Sequence, residues 1–318
     1  MKAAVVIEPG TKPIYADFAR PEPSGTECLI EVRAAALSQL ARGKAAGRHY
    51  SSSTSYPQVV GVDGVGQAND GRQVYFFGAT PPFGAMAEFA PVAQAQCIAL
   101  PASLDDVTAA AIAIPGMSSW AALTERANLV RGETVLVNGA TGESGQLAIQ
   151  IARMLGASKI IATGRSPEKL ERLRERGADA TIALTNDESE MKEAFSAELR
   201  HGVDVVLDYL WGPSARAILL AAATDAPAER ALRFVQIGSI SGLEISLPAA
   251  VLRSKAISLM GSGIGSVALP RLLSAVEAVL HAAAEGRLHI ATEAVPLAQL
   301  GSHWDAPADK GRKVFVLN

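Results

Sequence analysis

One stretch constrains this chain more than any other: Val135-Leu-Val-Asn138-Gly139-Ala-Thr-Gly142-Glu-Ser-Gly145-Gln-Leu-Ala-Ile. An apolar run enters three glycines at a spacing of three. A helical pattern follows, with Leu147, Ile151 and Leu155 on one face. A pyrophosphate needs backbone N–H donors at a helix start and no side chain in the way. Glycines permit that approach, and the helix dipole favours the negative charge. Gly139, Ala140, Thr141, Gly142, Glu143, Ser144 and Gly145 are therefore candidate dinucleotide contacts. A tight strand-to-helix turn with no ligand is the plainer alternative.

The next strand ends at Thr163, followed by Gly164-Arg165-Ser-Pro-Glu-Lys169. Sites that take an unphosphorylated adenine ribose place Asp or Glu at this strand end. No acid stands there. Arg165 and Lys169 instead offer cations to a 2'-phosphate, the first as a planar fork and the second as a point charge. The expectation is NADPH, with Thr163, Gly164, Arg165 and Lys169 beside its adenosine half. Solvated charges at a helix start are the alternative.

Texture divides the 318 residues. Up to about residue 105 the signals are short and β-like: Ala3–Ile7, Glu27–Arg33, Val59–Gly66, Gln73–Phe77 and Ala87–Ala90. Ser51–Tyr56 is small and polar, as in a mobile loop. From about 115 to 261 apolar runs alternate with helical ones. The strands are Thr134–Asn138, Lys159–Thr163, Ala178–Ile182, Val203–Asp208, Phe234–Ile237 and Ile257–Met260. Continuous apolar strands separated by helices indicate a doubly wound parallel sheet, an α/β Rossmann domain over 115–261. A tail from 262, with a helix from Pro270 and a strand Lys313–Leu317, is expected to rejoin the β-rich domain at 1–114.

Charge nearly balances, with 29 Lys and Arg against 32 Asp and Glu, which argues against a polybasic nucleic-acid surface. The most apolar later stretch, Val107–Leu123, contains Thr108, Pro115 and Gly116, so no membrane span is expected. Cys28 and Cys97 fit no metal-ligand spacing and suit a reducing cytoplasm.

Together these motifs resemble the medium-chain dehydrogenase/reductase superfamily, and within it the zinc-free quinone oxidoreductase branch. Gly61-Val62-Asp63-Gly64-Val65-Gly66, Pro115-Gly-Met-Ser118-Ser119-Trp, Asp208-Tyr-Leu-Trp-Gly212 and Gln236-Ile-Gly238-Ser239-Ile240 carry the likeness beside the glycine turn. The resemblance implies a GroES-like β-rich domain interrupted by the nucleotide domain. It also implies cofactor contacts at Ser118 and at Gly238, Ser239 and Ile240. Where zinc relatives place ligands, this chain has Val62 and Ser38, and two cysteines cannot build a four-cysteine lobe. The branch's usual Asn and Tyr are replaced at Ser38 and Gly43, and a further Tyr at Leu184.

Without zinc, acceptors that already delocalise the incoming charge are favoured: quinones, or alkenes conjugated to a carbonyl. The oxyanion they develop needs hydrogen-bond donors. Ser38, Gln39, His49 and Tyr50 are the candidates, with water as the alternative proton source. Two other readings stay open: a zinc-free aldehyde or biosynthetic reductase, and a non-catalytic NADPH-binding protein. A homodimer pairing Ile257–Met260 at the sheet edge is expected.

Overall fold

The computed structural model describes residues 1–52, 55–307 and 310–317. The chain divides into two compact units, Met1–Ile114 with Val276–Asn318, and Pro115–Ala275. Sequence texture put the second crossing at 262. The boundary instead falls at Val276, inside a helix.

In the first unit lie β1 (Lys2–Val6), β2 (Ile14–Asp17), β3 (Glu27–Ala36) and the short helix α1 (Gln39–Ala45). β4 (Gln58–Val59), β5 (Asp63–Ala68), β6 (Gln73–Phe77), β7 (Phe89–Ala93) and β8 (Cys97–Ala99) follow. The single run expected over Val59–Gly66 is broken into β4 and β5. The chain turns between them at Gly61, whose φ is +105°.

Helix α2 (Asp106–Ala121) carries the chain out of this unit and continues as a π-helical turn, Ala122–Arg126. Pro115 stands inside it. The expected breakers do not break the helix, and the Ser118 and Ser119 hydroxyls lie 2.9 and 3.0 Å from the Pro115 carbonyl. Asp106–Arg126 is thus long and apolar enough to cross a membrane, by length and composition. Two thirds of it is buried within the fold, as in a core helix.

The second unit runs β9 (Thr134–Asn138), α3 (Glu143–Met154), β10 (Lys159–Gly164), α4 (Pro167–Glu175) and β11 (Ala180–Ala183). It continues with α5 (Glu188–Leu199), β12 (Val205–Asp208), α6 (Gly212–Asp225), β13 (Leu232–Gln236), α7 (Val251–Ser254) and β14 (Ile257–Gly261). All pairings are parallel, in the order β11-β10-β9-β12-β13-β14. The chain starts in the middle, winds one way, then reverses: a doubly wound sheet whose switch point lies between β9 and β12. Every residue of β9 and β12 is buried, which is why both read as unbroken apolar runs. Leu136, Ile161, Val206 and Phe234 pack there with Phe195, Ile218 and Leu219 of α5 and α6.

Helix α8 (Leu269–Ala284) leads back to β15 (Thr292–Pro296), α9 (Leu300–His303) and β16 (Arg312–Val316). β16 pairs antiparallel with β3, and Phe315 enters the core of Ile30, Phe76 and Met86. That burial returns the C-terminus to the first unit. Its larger sheet orders β15-β16-β3-β5-β6-β8, with β7 also on β3, and a smaller one orders β2-β1-β4. The fold is mixed α/β: a sheet-rich unit interrupted by a parallel-sheet, Rossmann-like unit.

Candidate functional site

In a doubly wound sheet the ligand crevice lies outside the carboxyl ends of the strands at the switch point. Here those ends are tied by buried hydrogen bonds. Asn138, last in β9, donates from Nδ2 to Asp208 Oδ1 at 2.8 Å and to Ser214 Oγ at 2.9 Å. Its Oδ1 accepts from the Thr163 hydroxyl at 2.8 Å, and that hydroxyl accepts from the Gly139 N–H at 3.0 Å. Asp208 also accepts from the N–H groups of Leu210 and Trp211 at 3.0 and 3.1 Å. Those bonds hold Trp211 at a φ of +58°, a strained value for a residue with a side chain. Burial pushes the Asp208 carboxyl up to about 6, although its donors oppose that shift. The Thr163 hydroxyl is therefore engaged within the fold rather than turned to a ligand.

The glycine turn sits on this platform. A Cβ at Gly145 would lie 2.5 Å from both the Ala140 Cα and the Gly139 carbonyl, so only glycine lets α3 start this close to the turn. Gly142 is the N-cap of α3 and faces open space, and no side chain caps the helix. By contrast, Ser166 caps α4 and Asp187 caps α5. The first-turn amides of α3 are left for an anion, and their helix is long enough to carry a dipole. The pyrophosphate of a dinucleotide fits this cradle.

Gly164 touches the turn, since its Cβ would meet Thr141 Cγ2 at 2.4 Å. Beyond it Arg165 and Lys169 are exposed, and neither side chain forms an ion pair among the described residues. The neighbouring charges are engaged otherwise: Glu168 pairs with Arg172 at 2.6 Å. On the other side of the switch point, Ser119 Oγ lies 2.8 Å from the Tyr209 hydroxyl and 3.1 Å from the Ser144 carbonyl. Burial raises the Tyr209 phenol well above its ordinary value, so it stays protonated; Ser118 and Ser119 are its hydrogen-bonding neighbours. Gly238 packs on the Tyr209 carbonyl and starts a loop in which Ser239 is exposed and Ile240 is 71% exposed. Ser118, the glycine turn and the 238–240 loop thus converge around Tyr209. Sequence reasoning assigns no role to Asn138, Ser119 or Tyr209. A polar residue closing a wholly buried apolar strand, as Asn138 does, is the signal that marks such a lattice.

In the first unit, Ser38 is buried as the N-cap of α1, its Oγ accepting from Ala41 N at 2.9 Å, with Gln39 exposed beside it. His49 and Tyr50 lie past the other end of α1, their ring centroids 4.1 Å apart and tilted by 34°. The structure therefore splits the four candidates into two pairs along one helix. Ser51 N–H donates to His49 Nδ1 at 3.2 Å, which leaves the neutral ring's proton on Nε2. Burial first, and the Lys44 ammonium second, hold this imidazole below its ordinary value, so it is a neutral N–H donor at neutral pH. Tyr50 is 74% exposed. Ser53 and Thr54, inside the stretch read as a mobile loop, lie outside the described residues.

Asp63, on β5, is fully buried and accepts from the Tyr75 hydroxyl at 3.2 Å. Burial pushes its carboxyl up to about 7 against the pull of Arg312 and Tyr75. A carboxyl raised in the folded state favours folding at low pH, and that advantage fades as pH climbs from about 4 to about 7. Relative to Asp63→Asn, the wild-type chain is expected to lose about 2–4 kcal/mol of stability across that window. Urea midpoints of both proteins at several pH values measure it, and parallel profiles would contradict it.

Among the described residues no three His, Cys, Asp or Glu side chains are grouped to hold a metal ion. The family model described as "Zinc-binding dehydrogenase" matches residues 145–282, a stretch that includes neither Ser38 nor Val62. A protein of Emericella nidulans named "Probable NADPH-dependent quinone reductase tdiC" is 27% identical over 350 aligned positions, covering 96% of both chains. A phthioceranic/hydroxyphthioceranic acid synthase of Mycobacterium tuberculosis is 31% identical over 235 positions. That match takes in 70% of this chain, which spans a tenth of the synthase's length. Among solved structures, a quinone oxidoreductase of Pseudomonas syringae superposes with a TM-score of 0.83 at 22% identity, over the whole of both chains. The chain belongs to the medium-chain dehydrogenase/reductase superfamily, in its quinone oxidoreductase branch.

Proposed function

We propose that the chain is an NADPH-dependent oxidoreductase that reduces a quinone or an α,β-unsaturated carbonyl without a metal. The observation that carries this reading is the uncapped α3 start at the switch point, with Arg165 and Lys169 exposed beyond the end of β10 and without an ion pair among the described residues. NADPH dependence and quinone reduction, named for the Emericella relative, support it. When bound, the reduced nicotinamide supplies the hydride.

This chain's own residues do the rest. The α3 amides and the glycine turn hold the pyrophosphate, and Arg165 grips the 2'-phosphate with Lys169 beside it. Ser118 and the 238–240 loop flank the nicotinamide half. His49 Nε2–H donates to the oxygen that becomes negative on the acceptor, and Ser38, Gln39 and Tyr50 are the remaining donors of the same unit. β14 closes the parallel sheet with Leu259 38% exposed, and we assign it the pairing edge of a homodimer.

NADPH consumption with benzoquinone, phenanthrenequinone and an aliphatic enone tests the reaction. His49→Phe keeps the stacked ring but removes its N–H. It is expected to lower kcat about 100-fold for whichever acceptor turns over, with NADPH affinity unchanged. An unaltered kcat would assign the proton to water. A second reading, a reductase acting within a biosynthetic pathway, is favoured by the synthase match. NADPH binding without turnover of any acceptor would favour a non-catalytic role instead.

A further inference from the structure

The chain has two cysteines, 69 positions apart, and the fold brings them together. Cys28 lies on β3 opposite Val92 of β7, and its neighbour Glu27 lies opposite Ala93. Cys97 opens β8 just beyond that end of β7, and its Sγ reaches the Ala93 carbonyl at 3.8 Å. The Cys97 thiol thereby lies close enough to Cys28 for the two to interact electrostatically, and both pack on one core. Cys28 is buried while Cys97 is half-exposed. The charged groups facing the pair are Arg72 and Asp70, from the turn joining β5 to β6, which bridge each other at 2.7 Å.

We propose that Cys28 and Cys97 are a peroxide-oxidisable pair that closes into an intramolecular disulfide, joining the edge strand β8 to β3. The Cys97 thiolate attacks one oxygen of hydrogen peroxide. The O–O bond breaks, one water leaves and Cys97 becomes a sulfenic acid. The Cys28 sulfur then displaces that hydroxyl as a second water and forms the S–S bond. Two thiols lose two electrons and two protons, and the peroxide takes up both. The sulfurs must close to about 2 Å. β8 is three residues long and lies at the end of its sheet, so its movement disturbs little pairing.

Burial, then the neighbouring Cys28, push the Cys97 thiol up to about 11. Thiolate is scarce at neutral pH, so closure is slow there and accelerates about tenfold per pH unit, with no plateau near 8.5 where an ordinary thiol levels off. The test treats the full native chain with hydrogen peroxide between pH 7 and 10, followed by alkylation and peptide mapping. The expected product is two hydrogens lighter, links the peptides bearing Cys28 and Cys97, and reverts with a dithiol. Cys28→Ser is expected to abolish the link and send Cys97 on to sulfinic acid. Cys97 overoxidised beside an intact Cys28 in the wild type, disulfide-linked dimers, or thiols that react only after unfolding would each overturn the proposal. NADPH binding is not involved in any of these readouts.

Discussion

Gly145→Ala is expected to abolish measurable NADPH binding and to lower stability by about 3 kcal/mol. The added methyl would meet the backbone of Gly139 and Ala140 at 2.5 Å, and backbone cannot rotate aside as a side chain can. Either α3 tilts away from the turn or the turn opens, and both movements dismantle the anion cradle. Gly142→Ala separates the two effects. Its φ of −83° suits any residue, and nothing lies within 4 Å of the new methyl. Stability should therefore stay within about 0.5 kcal/mol of wild type. The methyl nevertheless enters the space where the pyrophosphate approaches, so affinity should fall. Denaturant midpoints and fluorescence titrations with NADPH on both variants check the pair. A Gly145→Ala protein that binds NADPH normally would remove the glycine turn from the account.

The second large effect concerns the cation beyond β10. Arg165→Ala is expected to weaken NADPH binding tenfold to about a hundredfold, the range for losing a hydrogen bond to a charged group, and to leave NADH binding unaltered. The exposed side chain has no ion pair to lose among the described residues, so the thermal midpoint of the free protein should not move. Arg165→Lys should recover part of the affinity, because an ammonium keeps the charge but not the fork. An equal loss for both coenzymes would show that Arg165 does not distinguish the phosphorylated ribose.

The second unit was readable in the sequence because its physics is local and redundant. β9 occupies the expected residues, and the glycine turn sits between its strand and helix where the spacing puts it. Continuous burial of β9 and β12 writes an apolar run that no loop imitates. The first unit was less legible. β2, β8 and β15 are three to five residues long and at most half buried apart from Val295, so they carry no alternation strong enough to read. Their register comes from distant partners, as when β15 aligns on β16. α1 was invisible for a similar reason: seven residues with two buried alanines make no apolar face.

The candidate site divides the same way. The position of the glycine turn follows from spacing alone, because backbone geometry makes its glycines necessary. The tautomer of His49 and the meeting of Ser119 with Tyr209, 90 residues apart, depend on tertiary placement that one sequence does not disclose. The thiol pair is the sharpest case. Two cysteines with no shared motif become neighbours only because β7 runs along β3 and hands the chain to β8.

Calorimetric titration of the wild-type chain with NADPH and, separately, with NADH puts the central claim most directly at risk. The account predicts one site per chain and at least tenfold tighter binding of NADPH, with an advantage that shrinks as salt screens the exposed Arg165 and Lys169. Equal affinities, a preference for NADH, or no binding of either would contradict it.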